Sequence, residues 1–192
     1  MIEIKKHIAP LFLTAALLGS GGSAVAANLL VNGSFEQPGC STTCVLDTTA
    51  QTNLITGWTT FLSGVEYLTP AAIAGSTGPD GTSMVDLANY VYRNGGGIQQ
   101  NFATVVGARY RLTFSAGNSR YASRAGDGVV QVKVAGETVS FNTPVAQGVA
   151  IEWGTITYDF TATTPQTTLA FSNEQNPYGN YAFIDNVVVE AL

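Results

Sequence analysis

Tyr110-Arg111-Leu112-Thr113-Phe114-Ser115-Ala116 alternates apolar with polar residues throughout. A strand turns successive side chains to opposite faces, so Tyr110, Leu112, Phe114 and Ala116 share one face and Arg111, Thr113 and Ser115 the other. The pattern predicts an antiparallel strand over 110–116 with one face in a core and one in water. Ile156, Tyr158 and Phe160, set among Thr155, Thr157, Asp159 and Thr161, predict a second over 156–161. Outward from these, Val130, Val132 and Val134 alternate with Gln131 and Lys133, and Leu169 and Phe171 with Thr168 and Ser172. Residues 182–189 are apolar on both faces, which predicts a central strand. Shorter strands are predicted at 29–32, 57–62, 65–68, 83–88, 97–102 and 137–141. Turns are predicted at Pro79-Asp80-Gly81, Gly126-Asp127-Gly128, Ala135-Gly136-Glu137 and Asn176-Pro177-Tyr178-Gly179. No stretch combines a helical period with caps. About ten short strands parted by turn residues predict an all-β, two-sheet antiparallel β-sandwich, one domain over residues 27–192. The strands are too short and uneven, and lack the aromatic girdles, for an outer-membrane barrel.

The chain has 192 residues, 45% of them hydrophobic and 11% charged, with a net charge of -5. Without a basic stripe to displace phosphate counterions, nucleic acid is excluded as a partner. Lys5 and Lys6, an apolar run over 8–18 and Ala24-Val25-Ala26 compose a signal peptide over residues 1–26. The run is too short to span a bilayer, so no membrane insertion is expected after cleavage. The expected destination is extracellular, or periplasmic. Cleavage removes His7, the only histidine. A Ser-His-Asp triad, a Cys-His dyad and His-ligated metal are thereby excluded from the mature chain. Cys40 and Cys44 are the only cysteines, and in an exported protein they are expected to form one local disulfide.

Several phrases belong together: Asn28-Leu29-Leu30-Val31-Asn32-Gly33-Ser34-Phe35-Glu36, Ile55-Thr56-Gly57-Trp58, Val65-Glu66-Tyr67, Val85-Asp86-Leu87, Gly97-Ile98-Gln99-Gln100 and Ile184-Asp185-Asn186-Val187. Their order resembles the galactose-binding-like jelly rolls. It is nearest to the bacterial "choice-of-anchor C" proteins and to a related plant cell-wall family of unknown function. More distantly it is similar to carbohydrate-binding modules of xylanases and cellulases. The resemblance implies a secreted jelly roll without catalytic residues, bound to a polysaccharide or cell-surface glycan or embedded in extracellular matrix. No exosortase-type tail or L-P-x-T-G follows the last predicted strand, so free secretion is the expectation.

The terminal strands of a jelly roll lie side by side, so Glu36 and Asp185 are expected to approach one another. Adjacent buried carboxylates repel unless a proton or cation joins them. In similar modules a structural calcium sits at this place, and Asn32, Ser34 and Asn186 offer further oxygens. The alternative is that Glu36 caps a turn and Asp185 accepts backbone N–H groups.

Phe35, Trp58, Phe102, Phe114, Tyr158, Phe160, Phe171 and Phe183 stand among apolar neighbours and are expected in the core. Tyr90, Tyr92, Tyr121 and Tyr178 stand instead in polar, Gly- and Asn-rich segments, flanked by Arg93, Arg120 and Arg124. Rings stack on sugar C–H faces and arginines bind hydroxyls, which makes these seven residues the candidate glycan site; ordinary loop packing is the alternative. Asn32-Gly33-Ser34 matches a glycosylation sequon and is expected to be a turn. Glu66 and Asp86 fit the acid pair of a glycosidase by type only. Three functions compete: a monomeric, non-catalytic glycan-binding or matrix module; a structural exoprotein of biofilm or cell envelope without a discrete ligand; and a histidine-free glycoside hydrolase.

Overall fold

The computed structural model describes residues 27–37, 42–47, 53–90, 94–173, 175–176 and 178–192. The predicted signal peptide lies outside these residues. The strands are β1 (Cys44–Leu46), β2 (Thr59–Leu62), β3 (Val65–Leu68), β4 (Met84–Asp86), β5 (Ala88–Asn89), β6 (Asn94–Ala103), β7 (Arg109–Asn118), β8 (Val129–Val134), β9 (Glu137–Asn142), β10 (Glu152–Thr161), β11 (Gln166–Ser172) and β12 (Phe183–Ala191). Among the described residues the other element is a 3-10 turn at Tyr121–Ser123. One sheet runs β1-β3-β4-β12-β7-β10 and the other β2-β6-β11-β8-β9, with β5 on β6. The pairings are antiparallel. The fold is a two-sheet jelly-roll β-sandwich, as expected. Among the described residues no helix is long and apolar enough to cross a membrane.

Alternation explains the layers. Tyr110, Leu112, Phe114 and Ala116 of β7 are buried between the sheets. An aromatic chain crosses the core: Phe35 lies 5.2 Å from Trp58, Trp58 6.2 Å from Phe171, and Phe171 5.0 Å from Phe114 between ring centroids. The doubly apolar β12 sits between β4 and β7, as its pattern predicts. The β8–β9 hairpin turns on Ala135 and Gly136, both at positive φ, 51° and 87°. The predicted strand at 83–88 is divided. β4 pairs in the first sheet, and after Leu87 the chain passes to β5 in the second.

Two expectations are corrected, and one strand is added. Residues 29–32 form no strand, and 30–32 are bends. Asn32 and Phe35 adopt positive φ (54° and 56°), which turns the segment away from an extended course. The segment nonetheless docks along β12: Leu29 N–H donates to Val189 O (2.8 Å), Val187 N–H to Gly33 O (2.9 Å), and Asn28 bonds both Val187 O and Val189 N–H. A Cβ on Gly33 would lie 2.0 Å from Val187 O, so the opening and closing phrases meet only through a glycine. Opposite them, β12 is bulged between Asp185 and Val188. Tyr158 is half-buried rather than core, because β10 is an edge strand; its hydroxyl donates to Glu137. β1 was not expected, since three residues carry too little alternation to read.

Candidate functional site: a tyrosine pocket on the outer face of the first sheet

In β3, Val65 and Tyr67 face the core, so Glu66 and Leu68 face outward; by the same alternation Met84 and Asp86 of β4 and Phe183 and Asp185 of β12 share that outer face. This face is not bare. Leu68, Ile73, Met84, Ile151, Tyr181 and Phe183 form a second apolar cluster on it, with Ala72 and Trp153 against them. Turns over 69–76 provide part of the cover, Ala72 N–H donating to Thr69 O and Ser76 N–H to Ile73 O.

At the edge of that cluster lies a cavity of about 620 Å³, lined by Tyr90, Tyr121, Tyr178, Tyr181, Arg124 and Glu66, with Thr42, Thr43 and residues between Leu68 and Ile73 across from them. Local turns present the rings. Tyr121 opens the 3-10 turn, its N–H on Ser119 Oγ (2.9 Å) and its carbonyl accepting Arg124 N–H (3.3 Å). Asn176 Oδ1 accepts Tyr178 N–H (3.0 Å), an Asx turn that places the ring at the rim. Tyr90 and Tyr178 meet edge to face at 4.9 Å. The Arg124 guanidinium lies 3.7 Å from the Tyr181 ring centroid and 5.4 Å from that of Tyr90. Tyr90, Tyr121 and Tyr178 are 48%, 39% and 38% exposed, whereas Tyr181 is 3% exposed. The first three can therefore touch a ligand, and Tyr181 with Arg124 forms the wall behind them.

The structure thus brings together four of the seven expected residues: Tyr90, Tyr121, Tyr178 and Arg124. Tyr92 and Arg93 lie outside the described residues. Arg120 is elsewhere: Nε donates to Ala146 O (2.9 Å) and Nη1 to Gly126 O (2.9 Å), with Nη2 3.5 Å from Asp127 Oδ1. It ties two loops together and does not line the cavity. Sequence reasoning missed Tyr181, whose Asn180-Tyr181 lies just past the quoted loop, and it gave Glu66 a different role.

Glu66 and Asp86 are register partners on β3 and β4. Glu66 Oε1 accepts Tyr90 N–H (2.9 Å), which couples the pocket floor to its rim. Burial raises the Glu66 carboxyl against the opposing pull of the Tyr90 amide and Arg124. Asp86 is 1% exposed, and its Oδ1 has no hydrogen-bond partner. Burial first, then the Glu66 charge, pushes it well above the usual carboxylate range, with Arg124 and the Ala182 amide opposing.

The other expected acids also lie close enough to feel each other's charge. Glu36 Oε1 accepts the N–H groups of Thr82 (2.8 Å) and Ser83 (2.6 Å), and Oε2 the Thr82 hydroxyl (3.0 Å). Burial pushes Glu36 up, but these bonds together outweigh it and hold the carboxyl below its ordinary value. Asp185 Oδ2 accepts Asp80 N–H (3.0 Å), while Oδ1 is buried without a partner. Burial raises Asp185 to about 7; the Asp80 and Asn186 amides oppose this and the Asp80 and Glu36 charges add to it. Glu36 is already spent on the 82–83 turn, and among the described residues no group of three or more His, Cys, Asp or Glu is placed to hold a metal. Cys44 begins β1; Cys40, and with it the expected pairing, lies outside the described residues.

The fold is similar to that of a family 61 carbohydrate-binding module solved in complex with β-1,4-galactotriose, at 18% identity and TM-score 0.52, covering 87% of this chain and 100% of that one. It is similar also to a family 4 carbohydrate-binding module, at 17% identity and TM-score 0.51, covering 85% and 99%. At these identities the likeness is one of fold. No curated protein matches the chain. The family described as "Protein of unknown function (DUF642)" matches over residues 28–190, and the chain belongs to it.

Proposed function

We propose that this protein is a secreted, monomeric, non-catalytic module that binds polysaccharide through the tyrosine pocket. The carrying observation is the convergence of Tyr90, Tyr121 and Tyr178, half-exposed and from three separate loops, around one cavity backed by Arg124. Loop packing alone would bury the rings. Exposed rings over a polar floor suit a sugar, with an apolar face for stacking and hydroxyls for the floor. Kinship of fold with carbohydrate-binding modules supports the same reading. Of the two acids that might have served hydrolysis, only Glu66 reaches the cavity, so they do not flank a ligand as a glycosidase pair must.

The test is affinity electrophoresis in gels containing galactan, xylan or β-glucan. Tyr90→Ala, Tyr121→Ala and Tyr178→Ala should each weaken retention about three- to tenfold, one aromatic contact apiece. Their melting temperatures should stay near that of the wild type. Unchanged retention in all three variants would move the binding face elsewhere.

A further inference from the structure

We propose that Glu66 and Asp86 form an acid pair sharing a single proton beneath the tyrosine pocket, and that Glu66 is thereby the charged acceptor that selects neutral, hydroxyl-donating glycans over acidic ones. The proposal rests on the pocket being the glycan site and names the chemistry of its floor.

Four observations lead to it. First, Glu66 and Asp86 stand directly opposite one another on adjacent antiparallel strands, on the same outer face. Such pairs have their Cβ atoms about 5 Å apart, where two like charges destabilise the sheet. Second, Asp86 is closed off from solvent and Glu66 is not, so the proton resides on Asp86, the member that would suffer most from being charged. Third, Asp86 Oδ1 is a buried acceptor with no donor. A proton converts that orphan into a donor, and the acid on the neighbouring strand in register with Asp86 is Glu66. Fourth, Glu66 has one oxygen on the Tyr90 amide and lines a cavity whose rim is three exposed tyrosines.

The ligand class follows from the charges around the floor. Among the described residues, the groups that act on Glu66 are Asp86 from β4, Arg124 from the turn after β7 and the Tyr90 amide. Arg124 lies against the Tyr181 ring, and its charge acts on both acids. Its positive charge is therefore already balanced by the ionised Glu66. A uronate entering this site would meet a carboxylate floor in a chain of net charge -5. A neutral sugar would instead donate its hydroxyls to Glu66, a charge-assisted bond of the stronger kind.

Two measurements on the intact protein decide the matter. Carboxyl carbon NMR of the unliganded protein follows each acid through its titration. Asp86 should remain protonated at pH 7 with Glu66 ionised, and Glu66→Gln should move the Asp86 titration down. Two acids that titrate independently near their ordinary values overturn the pair. Affinity electrophoresis then compares neutral β-1,4-galactan with polygalacturonate at pH 7. Wild type should be retained by the neutral gel, and Glu66→Gln should weaken that retention at least about tenfold. Wild-type retention should also fall as the pH drops through the Glu66 titration, a readout that needs no variant to fold. Preference for polygalacturonate, or a flat pH profile with full retention by Glu66→Gln, overturns the ligand assignment. Retention by neither gel overturns the pocket reading and the ligand assignment with it, while the NMR titration still rules on the acid pair.

Discussion

Asp86 and Asp185 lie on the same outer face of one sheet, both wholly buried and each with one carboxylate oxygen left without a partner. Their surroundings differ in kind. Asp185 is covered by the loop over 78–83, which offers it the Asp80 amide and offers Glu36 three donors of its own. Asp86 is opposed by a second acid that opens onto a cavity. Where loop amides surround the carboxyls, the pair fastens a loop; where they do not, the chemistry is left over for a ligand. The same residue types on one sheet are thus divided between structure and binding by what covers them.

The largest effect expected from this contrast is a pH dependence of stability. A carboxyl raised in the fold binds its proton more tightly there than in the unfolded chain. Its contribution is therefore fully present below the unfolded value of 3.8 and is lost as pH rises through the folded value of about 7. For Asp185 that loss is on the order of 4 kcal/mol across the window. Asp185→Asn should therefore match wild type near pH 4 and exceed it in stability at pH 8, measured by urea unfolding at both pH values. A variant less stable than wild type at pH 8 would mean that the ionised carboxylate holds the loop better than the neutral one.

A steric test of the same cover comes next. A Cβ on Gly78 would stand 2.3 Å from Asp185 Oδ2 and 2.4 Å from Ser83 O. Neither neighbour is the free end of a flexible side chain, so Gly78→Ala should cost about 1–3 kcal/mol by overpacking. Gly148→Ala, whose Cβ would meet nothing, should stay within about 0.5 kcal/mol of wild type. Equal melting temperatures for the two variants would show that the 78–83 loop gives way freely and that the cover over Asp185 is loose.

The sheets were legible because alternation is a one-dimensional signal: 110–116 and 156–161 carry their own face assignment. Residues 29–32 carried the apolar content of a strand without its backbone, since Asn32 and Phe35 turn to positive φ to bring Gly33 onto Val187. In the site, Tyr90, Tyr121, Tyr178 and Arg124 stood out because polar loops gave them no core to join. Arg120 looked identical in sequence, yet carbonyls of Ala146 and Gly126 take its donors, and only the folded chain says which carbonyls are near. Glu66 was hardest to read. An acid at the outward position of a strand looks solvated until topology sets β4 beside it and three loops above it.

The smallest effect lies at Glu36, and it tests whether the loop latch works through hydrogen bonds or through an ion. Glu36 is held below its ordinary value, so its contribution is present above the unfolded value of 4.5 and is lost as pH falls through the folded one. The carboxylate stands largely in solvent, which screens it. Glu36→Gln should therefore cost about 1 kcal/mol at pH 7, and the difference from wild type should close in acid. Because three donors already occupy Glu36 and a proton suits Asp185, melts of the wild type with calcium and with chelator should superimpose. A gap of several degrees that Glu36→Gln abolishes would make these acids ligands of an ion after all. Both acid pairs on this face would then be binding sites, and the contrast between them would be lost.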